Sequence, residues 1–298
     1  MVDNIDVERL IRISKENPLL PEKFVPWQED IAEGQHYLGE ALLSLEGLPV
    51  YEMLSPYQKL ELSRHEVVQS MYAYAWSEGL FCLFMNRYIL TLPPDDVEYR
   101  FLLRELIEEF RHQEMFSMAI TRLSGKPVKQ SPLQNFIGLF TAKYFPADTV
   151  FMVSLTLELI ADMYGEHLRN DAKAYRVLQK VSQLHNIEEA RHILFTKNLL
   201  RRFINKAGFL KRSWYSVAIV LNILFFQKMY VKQEIFERIG LRDSGKIYKQ
   251  AYANYQRKFA AGCLSSIVSF VESFNGFNWI TKPVWKILLK YEPSCEPR

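Results

Sequence analysis

Cysteine, glycine and proline are scarce in this chain. Its 298 residues include three cysteines, 12 glycines and 13 prolines. Cys82, Cys263 and Cys295 form no Cys-x-x-Cys pair, so neither an iron–sulfur cluster nor a disulfide framework is indicated, and a reducing cytoplasm is the natural location. The Gly-x-Gly-x-x-Gly fingerprint of dinucleotide-binding proteins is also absent, so the sequence does not indicate a bound NAD(P)H.

Neither sign of charge dominates, and no apolar run is long. Lys and Arg total 37, Asp and Glu total 34, and the net charge is +3, which predicts no nucleic-acid partner. The longest apolar run, residues 214–230, is shorter than the roughly twenty residues that span a bilayer and contains Asn222, Gln227 and Lys228. We therefore expect a buried helix, no membrane partner and, because residues 1–18 lack an apolar signal segment, a cytoplasmic protein.

Helical patterns fill most of the chain, and strand patterns are nearly absent. Breaks occur at residues 92–96, 124–132, 145–148 and 204–209. With 49% hydrophobic residues the chain can bury one large core, so we predict a single all-α domain over residues 1–298. The predicted helices cover residues 27–46, 56–90, 95–123, 147–170, 173–203, 211–239 and 244–273.

The motif Glu-x-x-His occurs three times within these helices. The copy at Glu33 and His36 lies in a polar segment with a glycine and has no buried partner acid, so we assign it to the surface. The other two copies lie in apolar helices. Glu109 and His112 lie in EEFRH, and Glu189 and His192 lie in EEARH. Residues three apart on an α-helix share a face, so each motif presents a carboxylate and an imidazole to the same point. Each motif is therefore half of a candidate metal site.

Two further acids interrupt apolar helices. Glu78 lies in MYAYAWSEGLFCLFMNRYIL, and Glu158 lies in VFMVSLTLELIADMY. Burying an unpaired carboxylate costs on the order of several kcal/mol, and a bound cation removes that cost. Ferritin-like bundles with two metals combine one Glu from each of two helices with Glu-x-x-His from each of the other two. We therefore predict a ferritin-like four-helix bundle over about residues 56–203, with flanking helices at 27–46 and 211–273.

His185 extends the second motif. It precedes Glu189 by four residues and His192 by seven, so the three side chains share one helical stripe. A histidine in this position is either a further ligand or a hydrogen-bonded structural residue. Imidazoles combined with hard carboxylates favour iron or manganese over softer metals.

In order and local spacing, these residues resemble the di-iron arylamine N-oxygenases, of which p-aminobenzoate N-oxygenase is typical. The family pattern is a lone Glu, an acid followed by Glu-x-x-His, a second lone Glu and His-x-x-x-Glu-x-x-His, and it covers roughly residues 60–200. His185 is the ligand most specific to this family, whereas Glu108 stands where the family often has Asp. The resemblance implies the metal ligands Glu78, Glu109, His112, Glu158, His185, Glu189 and His192.

The same resemblance implies an activity. Two iron ions would use O2 as co-substrate to oxidise the nitrogen of an amine, most simply an arylamine of a small metabolite, through hydroxylamine and nitroso stages toward a nitro group. Because the chain has no dinucleotide fingerprint and too few cysteines for a cluster, we expect an external electron donor such as ferredoxin or a reductase to reduce the iron. A homodimer is a possible assembly.

Several side chains near the ligands have two interpretations each. Glu108 and Glu188 either accept the outer N–H of the ligand histidines or lie on a solvated helix face. Arg111 and Arg191 could anchor a substrate carboxylate, although ion pairs between helices are the expected role. Five residues either line a substrate cavity or belong to the plain core: Tyr74, Phe81, Cys82, Leu155 and Asp162.

Two other functions fit parts of the pattern. EEFRH and EEARH also resemble the motifs of di-iron desaturases and hydroxylases, which act on acyl or aminoacyl groups bound to a carrier. Desaturases lack the ligand that corresponds to His185, so this residue separates the two interpretations. The third function is iron oxidation or storage without an organic substrate, which a large hollow assembly with no cavity beside the metals would favour.

Overall fold

The described part of the chain, residues 5–262 and 264–293, is built from α-helices in this computed structural model. In chain order they are α1 (Val7–Glu16), α2 (Pro21–Phe24), α3 (Pro49–Glu52), α4 (Pro56–Ile89), α5 (Val97–Arg122), α6 (Pro132–Tyr144), α7 (Ala147–Asn170), α8 (Arg176–Asn205), α9 (Phe209–Tyr230), α10 (Gln233–Arg238), α11 (Ser244–Gly262), α12 (Ser265–Ser273) and α13 (Thr281–Leu289). A 3-10 turn covers Glu40–Leu42. Within these ranges β-pairing is limited to an isolated bridge between His36 and Ala174. The all-α prediction is confirmed.

Helices α4, α5, α7 and α8 form the central bundle. α4 packs along α5, α7 packs along α8, and the two pairs meet through contacts of α5 with α8 and of α4 with α7. Their bounds agree with the predicted ligand helices to within three residues at each end. Ser55 starts α4 with a capping box, in which its side chain accepts from the backbone of Gln58 and the Gln58 side chain reaches back. This bundle is the frame that carries the predicted ligands.

Helix α6 was not among the predicted helices; it lies between the breaks predicted at residues 124–132 and 145–148. Ser131 caps its start in a capping box with Gln134, and Pro132 occupies the first helical turn. The helix packs on α4 at Gly138, where an added Cβ would lie 2.5 Å from the Leu80 side chain. α6 therefore lies unusually close to α4 and covers one side of the bundle.

The predicted helix over residues 27–46 is wrong. In this segment the backbone N–H of His36 donates to the carbonyl of Lys173 (3.1 Å), and the N–H of Tyr175 donates to the carbonyl of His36 (2.8 Å). Gly34 has a φ of +78°, which a helix does not allow. The backbone thus pairs with the loop before α8 instead of with itself, and only the short turn at Glu40–Leu42 is helical.

The two long flanking helices predicted at 211–239 and 244–273 are each divided. The first is split into α9 and α10 after Tyr230, and the second into α11 and α12 after Gly262. Cys263, at this second break, lies outside the described residues, as does Cys295.

The apolar stretch Phe209–Arg238 covers α9 and α10. By length and composition it could cross a membrane, and half of its most apolar window is buried inside the protein. Core helices of soluble proteins have the same composition. α9 packs against α4, α7 and α13, as the prediction of a buried helix requires.

Candidate metal centre

The seven side chains predicted to bind metal converge inside the bundle. They come from all four of its helices, and long helices with inward stripes of three-residue and four-residue spacing bring them to one level. α4 contributes Glu78, α5 contributes Glu109 and His112, α7 contributes Glu158, and α8 contributes His185, Glu189 and His192.

A first cluster consists of Glu78, His112, His185 and Glu189, whose ligand atoms all lie within 4.8 Å of one another. Nε2 of His185 lies 3.1 Å from Oε1 of Glu78 and 3.3 Å from Oε1 of Glu189. Nδ1 of His112 lies 3.4 Å from the same Glu189 oxygen. Two carboxylates and two imidazoles therefore share a space that a single cation can occupy.

A second cluster lies beside the first and combines Glu105, Glu109 and His192. Nδ1 of His192 is 3.2 Å from Oε1 of Glu109 and 3.5 Å from Oε1 of Glu189. Glu189 thus contacts histidines of both clusters through one oxygen. A carboxylate in this position is suited to connect two neighbouring cations.

Glu158 lies at the edge of these clusters. It is buried, and neither of its carboxylate oxygens has a hydrogen-bond partner among the described residues. Burial, together with the charges of Glu189 and Glu105, raises the pKa of Glu158 well above its usual value. Without a cation, the charged form of this carboxyl group is therefore disfavoured.

The histidines of α5 and α8 are oriented by acids of the opposite helix. Nε2 of His112 lies 3.0 Å from Glu188 on α8, and Nε2 of His192 lies 2.8 Å from Glu108 on α5. Arg111 binds Glu188 at 2.9 Å, and Arg191 binds Glu108 at 2.8 Å. Glu108 and Glu188 are therefore buried against the outer nitrogens of the histidines rather than on a solvated face. The Nδ1 atoms are left to face the centre.

The pKa values of His112 and His192 are shifted in the opposite direction to that of His185. Burial alone would lower the pKa of His112 and His192, but the neighbouring carboxylates outweigh burial and raise both. Burial lowers the pKa of His185 to about 3. His185 is consequently a neutral imidazole at physiological pH, which is the form that binds metals.

Glu105, which was not among the predicted ligands, lies in the second cluster. Its side chain is 1% exposed, and both oxygens lack hydrogen-bond partners in the described part of the chain. A signal for it exists in the sequence, because Glu105 precedes Glu109 by four residues, as His185 precedes Glu189. The two halves of the centre thus share the spacing Glu/His-x-x-x-Glu-x-x-His, with an acid at the first position in one half and a histidine in the other.

The donor set fits a pair of metal ions. Within the described residues, atoms of several of these side chains are buried without hydrogen-bond partners: Glu78 Oε2, Glu105 Oε1 and Oε2, Glu109 Oε2, His112 Nδ1, Glu158 Oε1 and Oε2, Glu189 Oε2 and His192 Nδ1. Buried polar atoms are nearly always paired in native proteins, and buried carboxylates with no partner are costly. Two divalent cations bound by carboxylate oxygens and imidazole nitrogens would satisfy these atoms together.

A cavity of about 440 Å³ adjoins the clusters. It is bounded by α4, α6, α7 and α9, and Glu78, Glu158, His185 and Glu189 lie on its wall. Ile137 (42% exposed), Trp214 (40%) and Leu221 (49%) also line it and mark an opening to solvent between α6 and α9. A small molecule can therefore reach the centre from the side that α6 covers.

The five candidate cavity residues lie in different places. Tyr74 and Phe81 line the cavity, whereas Cys82, Leu155 and Asp162 do not. Cys82 is turned toward α5, where its sulfur accepts from Gln113. Leu155 is fully buried in the core, and Asp162 accepts a hydrogen bond from the Asn186 side chain between α7 and α8. The lining residues of α6 and α9 were not among the candidates, since α6 was not predicted and α9 carries no predicted ligand.

Comparison with known proteins gives a family match. The model of a family described as p-aminobenzoate N-oxygenase AurF matches residues 5–275. The chain is also 25% identical over 152 residues to uncharacterized proteins of Mycobacterium tuberculosis (strain ATCC 25618 / H37Rv) and Mycobacterium bovis (strain ATCC BAA-935 / AF2122/97). These alignments cover 49% of this chain and 44% of each relative, so the match spans less than half the length of the curated relatives.

Proposed function

The chain belongs to the p-aminobenzoate N-oxygenase family. From this premise we propose that it is a non-haem di-iron monooxygenase, which uses O2 to oxidise the nitrogen of an amine, most simply an arylamine. The observation that carries the proposal is the juxtaposition of buried, unsatisfied carboxylates and imidazoles with an apolar cavity large enough for a small aromatic molecule. The whole chain, residues 1–298, would act as one domain.

Contacts within the two clusters support an assignment of the ligands. Glu78, His112 and His185 would hold one iron, and Glu109 and His192 would hold the other. Glu189 would bind between them, since one of its oxygens is 3.3 to 3.5 Å from histidines of both clusters. Glu105 and Glu158, which have no other partner in the described residues, would complete the second iron.

The protein's other residues would fix the ligands and exclude water. Glu108 and Glu188 accept the outer N–H groups of two ligand histidines, which fixes the rings and increases the basicity of Nδ1. The apolar wall formed by α6 and α9 would orient the amine and keep bulk water from the centre.

When bound, the irons supply the redox chemistry. In the first oxidation, one atom of O2 is inserted into an N–H bond to give a hydroxylamine, and the other atom leaves as water. Two electrons and two protons are consumed for each such step. We propose that the electrons come from an external donor such as ferredoxin or a reductase, because the sequence has no dinucleotide fingerprint.

The two alternative functions are not favoured. The chain matches a family of N-oxygenases over residues 5–275, and the desaturases lack the ligand that corresponds to His185. Iron storage requires no cavity for an organic substrate, whereas a cavity of about 440 Å³ adjoins this centre.

The proposal can be tested with protein reconstituted anaerobically with Fe(II). We expect close to two irons per chain, and transfer of an ¹⁸O label from O2 to an arylamine when dithionite or a ferredoxin system is supplied. A double variant of Glu109→Ala and His192→Ala should lose most of the iron and all of the product. Glu114→Gln, an exposed change on α5, is the matched control and should leave both unchanged.

Two outcomes would contradict the assignment. Full iron occupancy in the double variant would remove these residues as ligands, and sustained turnover with NADPH as the only reductant would contradict the external donor. Cytoplasmic localisation and a homodimer stay predictions, which cell fractionation and light scattering of the purified protein can test.

A further inference from the structure

The cavity wall carries no ammonium or guanidinium group among the residues that the structure describes. Its acidic and histidine side chains all belong to the proposed metal centre: Glu78, Glu109, Glu158, His185 and Glu189. The rest of the wall is predominantly aromatic and aliphatic, with Trp76, Trp214 and Phe225 among its largest side chains.

Three arginines on α4, α5 and α8 are engaged elsewhere. Arg111 and Arg191 lie on the outer side of the histidines, where Glu188 and Glu108 bind them. Arg87 donates to two backbone carbonyls at the carboxyl end of α6. None of these three arginines lines the cavity.

Most polar groups of the wall are satisfied by the protein itself. The Ser77 hydroxyl donates to a carbonyl one turn earlier in α4 (2.8 Å), and Nε1 of Trp76 donates to Asn135 (3.0 Å). The Asn222 amide donates to the carbonyl of Val153 (3.1 Å). These groups are therefore poor partners for an anion in the outer part of the cavity.

The metal centre would not supply the missing positive charge. Its four predicted carboxylate ligands, Glu78, Glu109, Glu158 and Glu189, balance the charge of two ferrous ions. Glu105 adds a fifth carboxyl group. An anionic substituent bound away from the reacting nitrogen would thus be buried without a counter-ion, which is strongly unfavourable in an apolar site.

We propose that this protein takes aromatic amines whose other substituents are uncharged, and that it discriminates against aminobenzoate-type anions. The proposal rests on the proposed function for the reaction and adds the class of substrate. An aromatic ring fits between the aromatic side chains of the wall, where offset or edge contacts are favourable. In p-aminobenzoate the carboxylate is opposite the amine, so an amine directed at the irons would place it against the apolar wall.

A matched pair of ligands tests this inference. Methyl 4-aminobenzoate and 4-aminobenzoate share the ring and the amine but differ in charge at pH 7.5, and 4-aminobenzamide controls for the size of the carboxylate. Binding to the iron-loaded protein can be followed by quenching of Trp76 and Trp214, which line the cavity. We expect the ester to bind at least about 100-fold more tightly than the anion.

A substitution in the wall provides the converse experiment. Asn222 is half-buried on α9, so an arginine at this position can direct its guanidinium into the outer cavity. Asn222→Arg should strengthen binding of 4-aminobenzoate by about tenfold or more relative to Asn222→Gln, since it supplies a counter-ion. Both variants should bind the ester within about threefold of each other, which also shows that the cavity is intact.

The outcomes separate this inference from the proposed function. If the wild-type protein binds the anion as tightly as the ester, or binds neither, the substrate class is wrong. If the ester binds with the expected preference but neither it nor any other neutral arylamine is oxygenated by the reduced, iron-loaded protein with O2, the N-oxygenase function fails while the preference of the cavity stands.

Discussion

Replacing Glu158 by leucine should stabilise the metal-free protein and destabilise the metal-loaded protein relative to wild type. Glu158 is buried with neither oxygen hydrogen-bonded to a described residue, and its neighbours Leu155 and Leu159 are buried apolar side chains. Replacing buried ionic groups by apolar side chains of similar volume is often neutral or stabilises a protein by about 1 to 4 kcal/mol. We expect a gain in this range for Glu158→Leu at pH 7 in the presence of a chelator.

The gain should depend on pH in a defined direction. The folded-state pKa of Glu158 is raised well above 4.5, so the unfolded chain releases its proton first as the pH increases. The free energy of unfolding of the wild type therefore falls as the pH rises above about 4.5. Glu158→Leu has no carboxyl group at this position, so its free energy of unfolding does not fall for this reason. The difference between the two proteins should be small at acidic pH and should grow toward neutrality.

Bound metal should reverse the order of stability, so that the wild type is more stable than Glu158→Leu. A ligand that binds only the folded state at 100 times its Kd stabilises it by about 2.7 kcal/mol, and the variant would lose part of this contribution. Denaturant unfolding followed by circular dichroism, with chelator or with Mn(II), measures both effects. Glu166→Leu, which replaces an exposed acid of the same helix, should change stability by less than about 0.5 kcal/mol. A metal-free Glu158→Leu variant that is less stable than wild type would refute the reasoning.

Three further predictions concern other sites. Glu105→Gln should weaken binding of one of the two metals by at least about tenfold, so that the metal content falls toward one per chain; unchanged content would remove Glu105 from the ligand set. Burial raises the pKa of Glu66 to about 7 despite its hydrogen bonds to Ser44. The free energy of unfolding of the wild type should therefore fall by up to about 3 kcal/mol between about pH 4.5 and 7, whereas that of Glu66→Gln should not. Parallel plots of unfolding free energy against pH for the two proteins would contradict this. Gly138→Ala should lower the free energy of unfolding by about 1 to 3 kcal/mol and alter the fluorescence of Trp76, because the new Cβ would lie 2.6 Å from the Trp76 ring. An unchanged Tm would show that α6 can move away from α4 without loss of stability.

The bundle and most of the centre could be predicted because the information is local. A carboxylate and an imidazole three residues apart share a face in any α-helix, and Glu78 and Glu158 are conspicuous acids in apolar stretches. The acids that bind the outer nitrogens were harder to place. Glu108 and Glu188 precede the predicted ligand acids in both motifs, but only the approach of α5 to α8 shows that each contacts the histidine of the other helix.

The errors arose where tertiary contacts decide the outcome. The segment 27–46 has helical composition, yet its backbone pairs with residues 173–175, far away in the chain. α6 was missed although SPLQ is a capping box, since the preceding Gly and Pro residues were given more weight. The substrate cavity depends on that helix, so the side chains at its opening were not predictable from the pattern of the ligands alone.

The crossed binding of histidines and acids between α5 and α8 has a consequence for fragments of the chain. The helix pair α4–α5 contains His112 but not Glu188, and the pair α7–α8 contains His192 but not Glu108. Neither pair can therefore orient its own histidine, despite the repeated pattern of ligands. A peptide that covers one pair should bind metal weakly, whereas both pairs mixed together should recover affinity only as they associate. The repeat in the sequence thus describes two halves that must fold against each other before either becomes a binding site.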